Sequence, residues 1–446
     1  MVSNLTATNS RQPDLKTTIC AALCAVSLSI CLVSFYRNGR ASIDLPQYVM
    51  PARLWLQHVN PYDWVRYDAE VRRQVPGSTY WFYANPLPPH SLLMTAPIAW
   101  MSWKAIDTTW TLVSFGAMVA ALALIVSLFG KSWTRAEQYL FIALMAQSRL
   151  VQSVAYRGQV ALVMLAFTLI ALACARRGRH AAAGLMFAAV CMKFTLALPL
   201  VVILVARRGW RSLAWGIAFI AIGSLIVMAT IGFRTALHTI PDSMRYFSSH
   251  VAQEATSIGT SQRVGNWHMT NWVVLYATAF GQRSPVTSVL SRLTLVTAGG
   301  ALVWLAWRLR DEEHEDWLFA VSTMFMLTCV YHHVYDAVFV FGVAAAFWNL
   351  ARARTIRLGP DFKLFGAVLA LFLFVFAVQP LSEGLSRRLQ VHGALLLTPV
   401  NAWLGLALLG LCYLVAARYV AASEPARQTE LPAGLGEEQG VLDARR

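Results

Sequence analysis

Long apolar runs recur along almost the whole chain, separated by short polar and basic segments. A run of about 20 apolar residues is long enough to cross the hydrocarbon core of a bilayer as an α-helix. The clearest runs cover residues 17–36, 106–129, 160–175, 212–231 and 365–378. This pattern predicts an all-α polytopic membrane protein with roughly ten to twelve transmembrane helices.

Two apolar runs have features that do not fit a single crossing of the membrane. Residues 181–206 lie between RRGRH and RRGWR and have Lys193 near their centre. Residues 317–350 have HHVYD at their centre and are followed by RARTIR. Basic flanks stay on the cytoplasmic side, so each run is predicted to be a hairpin of two half-helices. Helices that break inside a bilayer line a cavity, and both breaks therefore predict one outward-facing cavity.

The remaining segments define the predicted domain organisation. Residues 1–16 are expected to form a cytoplasmic N-terminus, and residues 17–420 the membrane domain. The first extracytoplasmic loop, residues 37–86, is expected to contain short in-plane helices. Residues 87–103 are short and interrupted by proline, so they are either a span or a re-entrant element. The polar tail at residues 421–446 is predicted to be disordered and cytoplasmic.

Composition narrows the class of protein further. The 446 residues are 57% hydrophobic and 13% charged, which excludes an ordinary soluble domain. The net charge is +15, and basic residues are concentrated in short loops at segment ends, such as residues 176–179, 207–211 and 352–357. That distribution is typical of cytoplasmic loops, and it predicts no nucleic-acid partner. All seven cysteines lie in apolar segments without metal-ligand spacing, so neither disulfides nor a structural metal is indicated.

Five polar clusters fall on the predicted outer side of the membrane. They are Asp44 with Gln47 and Tyr48; Arg157 with Gln159; Lys193; residues 263–271 (RVGNWHMTN), which include Asn266 and His268; and Tyr331, His332 and His333 with Asp336. Each cluster also has a structural interpretation, such as an interfacial cap, a satisfied histidine or a lysine that reaches the outer surface. A lysine within an apolar segment costs roughly 2.5 to 3.5 kcal/mol on insertion scales, which favours a functional role for Lys193.

Together the clusters offer one candidate base and several cations or hydrogen-bond donors beside the membrane. Sugar transfer from a lipid phosphate to a hydroxyl requires such a set. A carboxylate takes the proton of the acceptor, and cations stabilise the departing phosphate. Glycoside hydrolysis instead uses a pair of carboxyl groups. A divalent metal is possible but not indicated, because a single carboxylate gives it little to hold.

Several motifs occur in the order found in a known family. They are Asp44 and Tyr48; Ala52-Arg53; Asn60-Pro61-Tyr62-Asp63; Gly158-Gln159; the run 184–195 with Lys193; GNWHMTN; and His332-His333. The chain resembles the polyprenol-phosphate-sugar-dependent GT-C glycosyltransferases of family 87, which include α-1,2-mannosyltransferases. The resemblance implies a GT-C fold and transfer to a glycolipid or glycan acceptor on the extracytoplasmic face of the plasma membrane. No cofactor is predicted from the residues.

The resemblance also implies roles for individual residues. Asp44 would be the general base of an inverting transfer. The donor phosphate would be held by Lys193, Arg157, His332 and His333. Sugar or acceptor hydroxyls would be bound by Tyr48, Gln159, Asn266 and His268. No metal ligand is assigned.

Two other functions remain open from the residues. A transporter or flippase of a lipid-linked sugar would line its path with Lys193 and the histidines. The second alternative function is a structural role in a polymerase complex. The residues do not identify the sugar or the acceptor, and Trp267 and His268 stand where the family often has Gln-Ser.

Overall fold

The computed structural model describes residues 14–39, 44–74, 84–256, 272–280, 284–330, 334–353, 359–374 and 400–429. Within these ranges the chain is α-helical with short 3₁₀ segments and no strand, which confirms the predicted all-α membrane class. The helices, in chain order, are α1 (Leu15–Gly39), α2 (Leu45–Leu56), α3 (Trp64–Gln74), α4 (His90–Ala99), α5 (Trp103–Phe129), α6 (Arg135–Ala146), α7 (Arg149–Arg157), α8 (Ala161–Arg176), α9 (His180–Val190), α10 (Leu198–Ala206), α11 (Trp210–Ile231), α12 (Phe233–Thr256), α13 (Val273–Phe280), α14 (Pro285–Arg308), α15 (Glu315–Cys329), α16 (Val340–Ala353), α17 (Pro360–Phe374) and α18 (Val400–Thr429).

Six helical stretches of the described chain are long and apolar enough to cross a membrane. They are Leu15–Arg37, Trp103–Phe129, His180–Ala206, Trp210–Ile231, Pro285–Arg308 and Ala402–Ala421. The pair α7 and α8 would add a seventh if its two bent halves form one span. The sequence count of ten to twelve also included runs that the structure forms as helices of fewer than 18 residues, such as α15 and α16.

The first loop forms short helices, as predicted, and its connecting segment is held by specific contacts. The side chain of Asn60 accepts a hydrogen bond from the backbone N–H of Tyr62 at 3.0 Å. The Tyr62 hydroxyl donates to the carbonyl of Leu87 at 2.9 Å. At the start of α3, Trp64 stacks on Tyr246 of α12, with ring centroids 4.3 Å apart. This loop is therefore a packed layer at one end of the helix bundle.

Helix α4 settles whether residues 87–103 span the membrane. It has ten residues, which at 1.5 Å per residue is about 15 Å, half the thickness of a hydrocarbon core of about 30 Å. It packs between α2 and α11. Its first residue, His90, is buried with its Nε2 atom 3.0 Å from the carbonyl oxygen of Ala188. The helix is therefore a short packed element and not a crossing.

The first predicted hairpin is confirmed by contacts at its two ends. A 3₁₀ segment, Cys191–Ala197, joins α9 to α10, and Lys193 within it has non-helical backbone angles (φ −121°, ψ 79°). Arg176, just before α9, is 2.8 Å from the carboxylate of Glu315. Arg207, just after α10, bonds the same carboxylate. Both ends of the run therefore lie together, although its length and composition alone would allow a single span.

The second predicted hairpin consists of α15 and α16, and its ends also lie together. Near the end of α16, the Asn349 side-chain amide donates to Asp316 at the start of α15 at 2.7 Å. The same amide donates to the carbonyl of Phe129, the last residue of α5, at 3.0 Å. The middle of this hairpin contains the 3₁₀ segment Val334–Phe339.

The ends of both hairpins lie at one end of the bundle. This end carries Arg176, Arg207 and Arg352, and we call it the basic end. Arg352 pairs there with Glu137 near the start of α6. The middles of both hairpins lie away from the basic end.

The predicted C-terminal tail begins as a continuation of the last helix. Helix α18 continues to Thr429, eight residues past the predicted start of the tail at residue 421. Residues 1–13 and 430–446 lie outside the described chain, as do the three residues 331–333.

Candidate functional site

A sharp turn between α7 and α8 positions Gln159. The two helices are bent by 114°, and Gly158 between them has a left-handed backbone (φ 68°) that favours glycine. The backbone N–H groups of Gly158 and Gln159 both donate to the carbonyl of Val154, at 3.0 and 3.2 Å. The indole of Trp110 on α5 donates to the Gly158 carbonyl at 3.1 Å. The turn is therefore fixed from both sides, and Gln159 is buried.

Gln159 connects two residues of the first loop. Its Nε2 atom donates to Oδ2 of Asp44 at 2.5 Å. Its Oε1 atom accepts from the Tyr48 hydroxyl at 2.6 Å. The Asp44 backbone N–H also donates to the carbonyl of Arg157 at 2.9 Å. Because the Tyr48 hydroxyl occupies the oxygen of the amide, its NH₂ group faces Asp44, as an ionised carboxylate requires.

The surroundings of Asp44 make it a stronger base than an exposed carboxylate. Its side chain is buried, and this desolvation raises its pKa. The hydrogen bond from Gln159 and the positive charges of Arg157 and Lys193 act in the opposite direction, whereas the charge of Asp336 raises the pKa further. A base with a raised proton affinity suits the removal of a proton from a hydroxyl.

The middles of the two hairpins meet in an ion pair. Lys193 Nζ lies 2.6 Å from Oδ1 and 2.8 Å from Oδ2 of Asp336. The Asp336 side chain is 1% exposed and that of Lys193 is 22% exposed. The segment Val334–Phe339 packs against α7, which ends beside Asp44, and both charges act on Asp44. The pair and the Asp44 to Gln159 bond therefore belong to one polar cluster.

The structure brings together five of the nine residues chosen from the sequence: Asp44, Tyr48, Arg157, Gln159 and Lys193. They come from three separate parts of the chain. The other four, Asn266, His268, His332 and His333, lie outside the described residues. Both ends of the Gln159 amide are engaged, so the contacts of Gln159 and Tyr48 hold Asp44 in place.

Asp336 belongs to one of the polar clusters in the sequence, but no catalytic or binding role was predicted for it. The sequence feature that marks Asp336 is an acidic residue in the middle of an apolar hairpin, close in sequence to the histidine pair. Its significance comes from its partner, because Lys193 lies 143 positions away along the chain. Among the described residues, no group of three or more His, Cys, Asp or Glu side chains is placed to hold a metal ion.

The comparison with known families decides the class of protein. The family model for glycosyltransferase family 87 matches residues 86–332, more than half of the chain. The chain belongs to glycosyltransferase family 87. Searches of curated proteins and of solved structures gave no match.

As a family 87 member, the chain is a glycosyltransferase, and its apolar helices make it a multi-pass membrane protein. The matched residues include Gln159 and Lys193. Asp44, Tyr48 and Asp336 lie outside the match, and they are linked to it by the contacts described above.

Proposed function

We propose that this glycosyltransferase moves a sugar, such as mannose, from a polyprenyl-phosphate donor to a hydroxyl of a lipid-linked or envelope glycan acceptor. Asp44 is the general base, and the transfer inverts the anomeric centre. One observation carries the proposal. A buried carboxylate from the first loop is hydrogen-bonded to Gln159 of the family segment, in the same cluster as the cations Arg157 and Lys193.

The reaction is a single displacement. The acceptor oxygen forms a bond to the anomeric carbon while its proton passes to Asp44. The bond from that carbon to the phosphate oxygen breaks, and its electron pair stays on the lipid phosphate. Because attack and departure occur on opposite faces of the sugar, a β-linked donor gives an α-linked product.

The leaving group explains why one acid and several cations are suitable. A lipid phosphate departs as a weak base and needs no proton, in contrast to the alcohol released in glycoside hydrolysis. Its developing charge is stabilised by nearby cations. We assign this role to Lys193 and Arg157, together with His332 and His333. We assign the sugar and acceptor hydroxyls to Asn266 and His268, together with Tyr48 and Gln159, which lie beside the general base Asp44.

These protein cations give the reaction a source of positive charge without an added ion. We therefore propose that transfer needs no cofactor and no divalent metal. The measurement is the transfer rate in excess chelator compared with added Mg²⁺ or Mn²⁺. A rate that disappears in chelator and returns with the metal would contradict this part of the proposal.

We also propose that the site faces the outside of the plasma membrane. The support is the separation of charge: the basic end carries Arg176, Arg207 and Arg352, and such residues favour the cytoplasmic side. The cluster around Asp44 lies away from that end. Single cysteines placed at the partly exposed Asp68 and the exposed Arg208, in an otherwise cysteine-free protein, can be tested with an impermeant thiol reagent. Labelling at position 68 and protection at position 208 in intact cells is the expected result.

The main test is sugar transfer by purified protein in lipid nanodiscs. The donors are polyprenyl phosphates that carry radiolabelled mannose, glucose or arabinose, and the acceptors are glycolipids extracted from the native membrane. The wild-type protein is expected to label an acceptor lipid with one of these donors. The Asp44→Asn variant should fold normally and lose transfer.

A matched control comes from the same loop. Asp63 is half-exposed and pairs with Arg66 on the surface, where an ion pair contributes about 0 to 1 kcal/mol. Asp63→Asn should therefore keep wild-type transfer. Full activity in Asp44→Asn would exclude Asp44 as the base.

A further inference from the structure

The ion pair between the two hairpins has a feature that binding of phosphate by Lys193 alone does not require. The lysine is held by both oxygens of a carboxylate that is almost completely buried. Burying a carboxylate is costly, and a buried ion pair is often no more stabilising than apolar residues of the same size. A pair of this kind at the candidate site therefore points to a role beyond folding.

We propose that Asp336 is a positioning residue of the transfer reaction, because its carboxylate fixes the ammonium group of Lys193 at the point where the two hairpins meet. This inference rests on the proposed function. A lysine side chain is long and flexible, and the two hydrogen bonds to Asp336 remove that freedom before the donor arrives. Charges that are fixed where new charge develops stabilise a transition state without reorganising during the reaction.

The same carboxylate also acts on the base. Asp44 is faced by Arg157 from α7, by Tyr48 from α2, by Lys193 from the first hairpin and by Asp336 from the second. The negative charge of Asp336 raises the pKa of Asp44, and the positive charge of Lys193 lowers it. Removing either partner should therefore shift the acid side of the pH profile, in opposite directions.

The first experiment compares Asp336→Asn with Lys193→Met in the transfer assay. In Asp336→Asn the ammonium still attracts the phosphate but is no longer held, so kcat should fall about tenfold or more while the donor KM stays within about threefold. Its acid limb should move to lower pH. In Lys193→Met the donor KM should rise and the acid limb should move to higher pH.

Two further variants separate positioning from folding. Asp336→Glu keeps the charge but displaces the ammonium, so it should restore the position of the acid limb and only part of kcat. The double variant Lys193→Met/Asp336→Leu removes both charges together, which buried pairs tolerate, so it should be folded and should transfer sugar no faster than Lys193→Met.

The outcomes distinguish the inference from the proposed function. If the wild-type protein transfers sugar and Asp336→Asn keeps its kcat and pH profile, the positioning role is wrong and the proposed function stands. A double variant with wild-type kcat would also overturn it. If the wild-type protein transfers no sugar from any of the lipid-phosphate donors, the proposed function fails and this inference fails with it.

Discussion

Gln159 offers the sharpest test of how the candidate base is controlled. Its amide donates to Asp44 at 2.5 Å and accepts from Tyr48 at 2.6 Å, and all three side chains are buried. The change to Met keeps a side chain of similar length and removes both hydrogen bonds. Asp44 then remains buried without the donor that favours its charged form.

The size of the effect follows from the charge on the acceptor. A hydrogen bond to a charged group contributes a net free energy of about 1.5 to 3 kcal/mol, which is about a ten- to hundredfold change in an equilibrium at about 1.4 kcal/mol per factor of ten. The Gln159 bond lowers the pKa of Asp44, so its loss raises that pKa. The deprotonated fraction of Asp44 should fall by this factor on the acid side of the profile and recover at high pH.

The assay is kcat/KM for sugar transfer measured across pH. Gln159→Met should lose about ten- to hundredfold on the acid limb and approach the wild-type rate at high pH. Gln152→Met is the matched control, because Gln152 lies on α7 and its Oε1 atom accepts a hydrogen bond from Arg149 at the surface. An equal loss at every pH, or no loss, would refute the argument.

The folding of this variant needs its own control. Gln159→Met leaves the buried Tyr48 hydroxyl without its acceptor, which costs about 1 to 3 kcal/mol of stability. In the double variant Gln159→Met/Tyr48→Phe both partners are apolar, a replacement that can be nearly neutral. The double variant should melt at a higher temperature than Gln159→Met, because the only hydrogen bond still missing is the one to Asp44, and it should still show the displaced acid limb.

Three other predictions use thermal unfolding and the transfer assay. Burial raises the pKa of Asp44, so the ionised side chain destabilises the folded state. At a pH near the ordinary carboxyl pKa, Asp44→Asn should melt at the same temperature as the wild-type protein. As the pH rises through the raised pKa of Asp44, the variant should melt at a higher temperature than the wild-type protein. Glu315→Gln should lower the free energy of unfolding by about 3 to 5 kcal/mol, because it leaves two partly buried arginines without their shared carboxylate. Gly158→Ala forces a side chain into a left-handed backbone, which costs about 1 to 2 kcal/mol. This variant should reduce sugar transfer because it displaces Gln159. Gly116→Ala is the control, because a Cβ atom at Gly116 would have open space around it.

The sequence was sufficient to predict the parts of the fold that depend on basic residues at the ends of apolar runs. Basic residues at both ends of the run that contains Lys193 predicted a hairpin. In the structure, Glu315 bonds the arginines at both ends of this hairpin. The flanks carry this information because the membrane sorts charge by side. The 114° bend between α7 and α8 was not predicted. It depends on the left-handed conformation of Gly158, and nothing in the apolar pattern marks that glycine as a corner.

The candidate site was predictable as a set of residues and not as a set of contacts. The polar residues were visible because charges and amides are costly in apolar segments. Hydropathy does not say which of them pair, because Lys193 and Asp336 are 143 positions apart. The family resemblance therefore assigned Lys193 to the donor phosphate without identifying its counter-ion. It assigned Gln159 and Tyr48 to sugar or acceptor hydroxyls, and in the structure Gln159 contacts both Asp44 and Tyr48.

The distribution of buried charge bears on the choice between transfer and transport. A translocation path requires polar groups through the thickness of the membrane. In the described ranges, the buried acids are Asp44 and Asp336 in one cluster, and Glu315 and Asp316 at the basic end. Between them, the buried polar residues of α8 and α15 are serine and threonine, such as Thr168 and Ser322. In the described ranges the buried acids therefore lie at the two ends of the bundle and not along a path between them. This distribution favours chemistry at a surface, and movement of a lipid-linked sugar across proteoliposomes without a new glycosidic bond is the result that would reverse that conclusion.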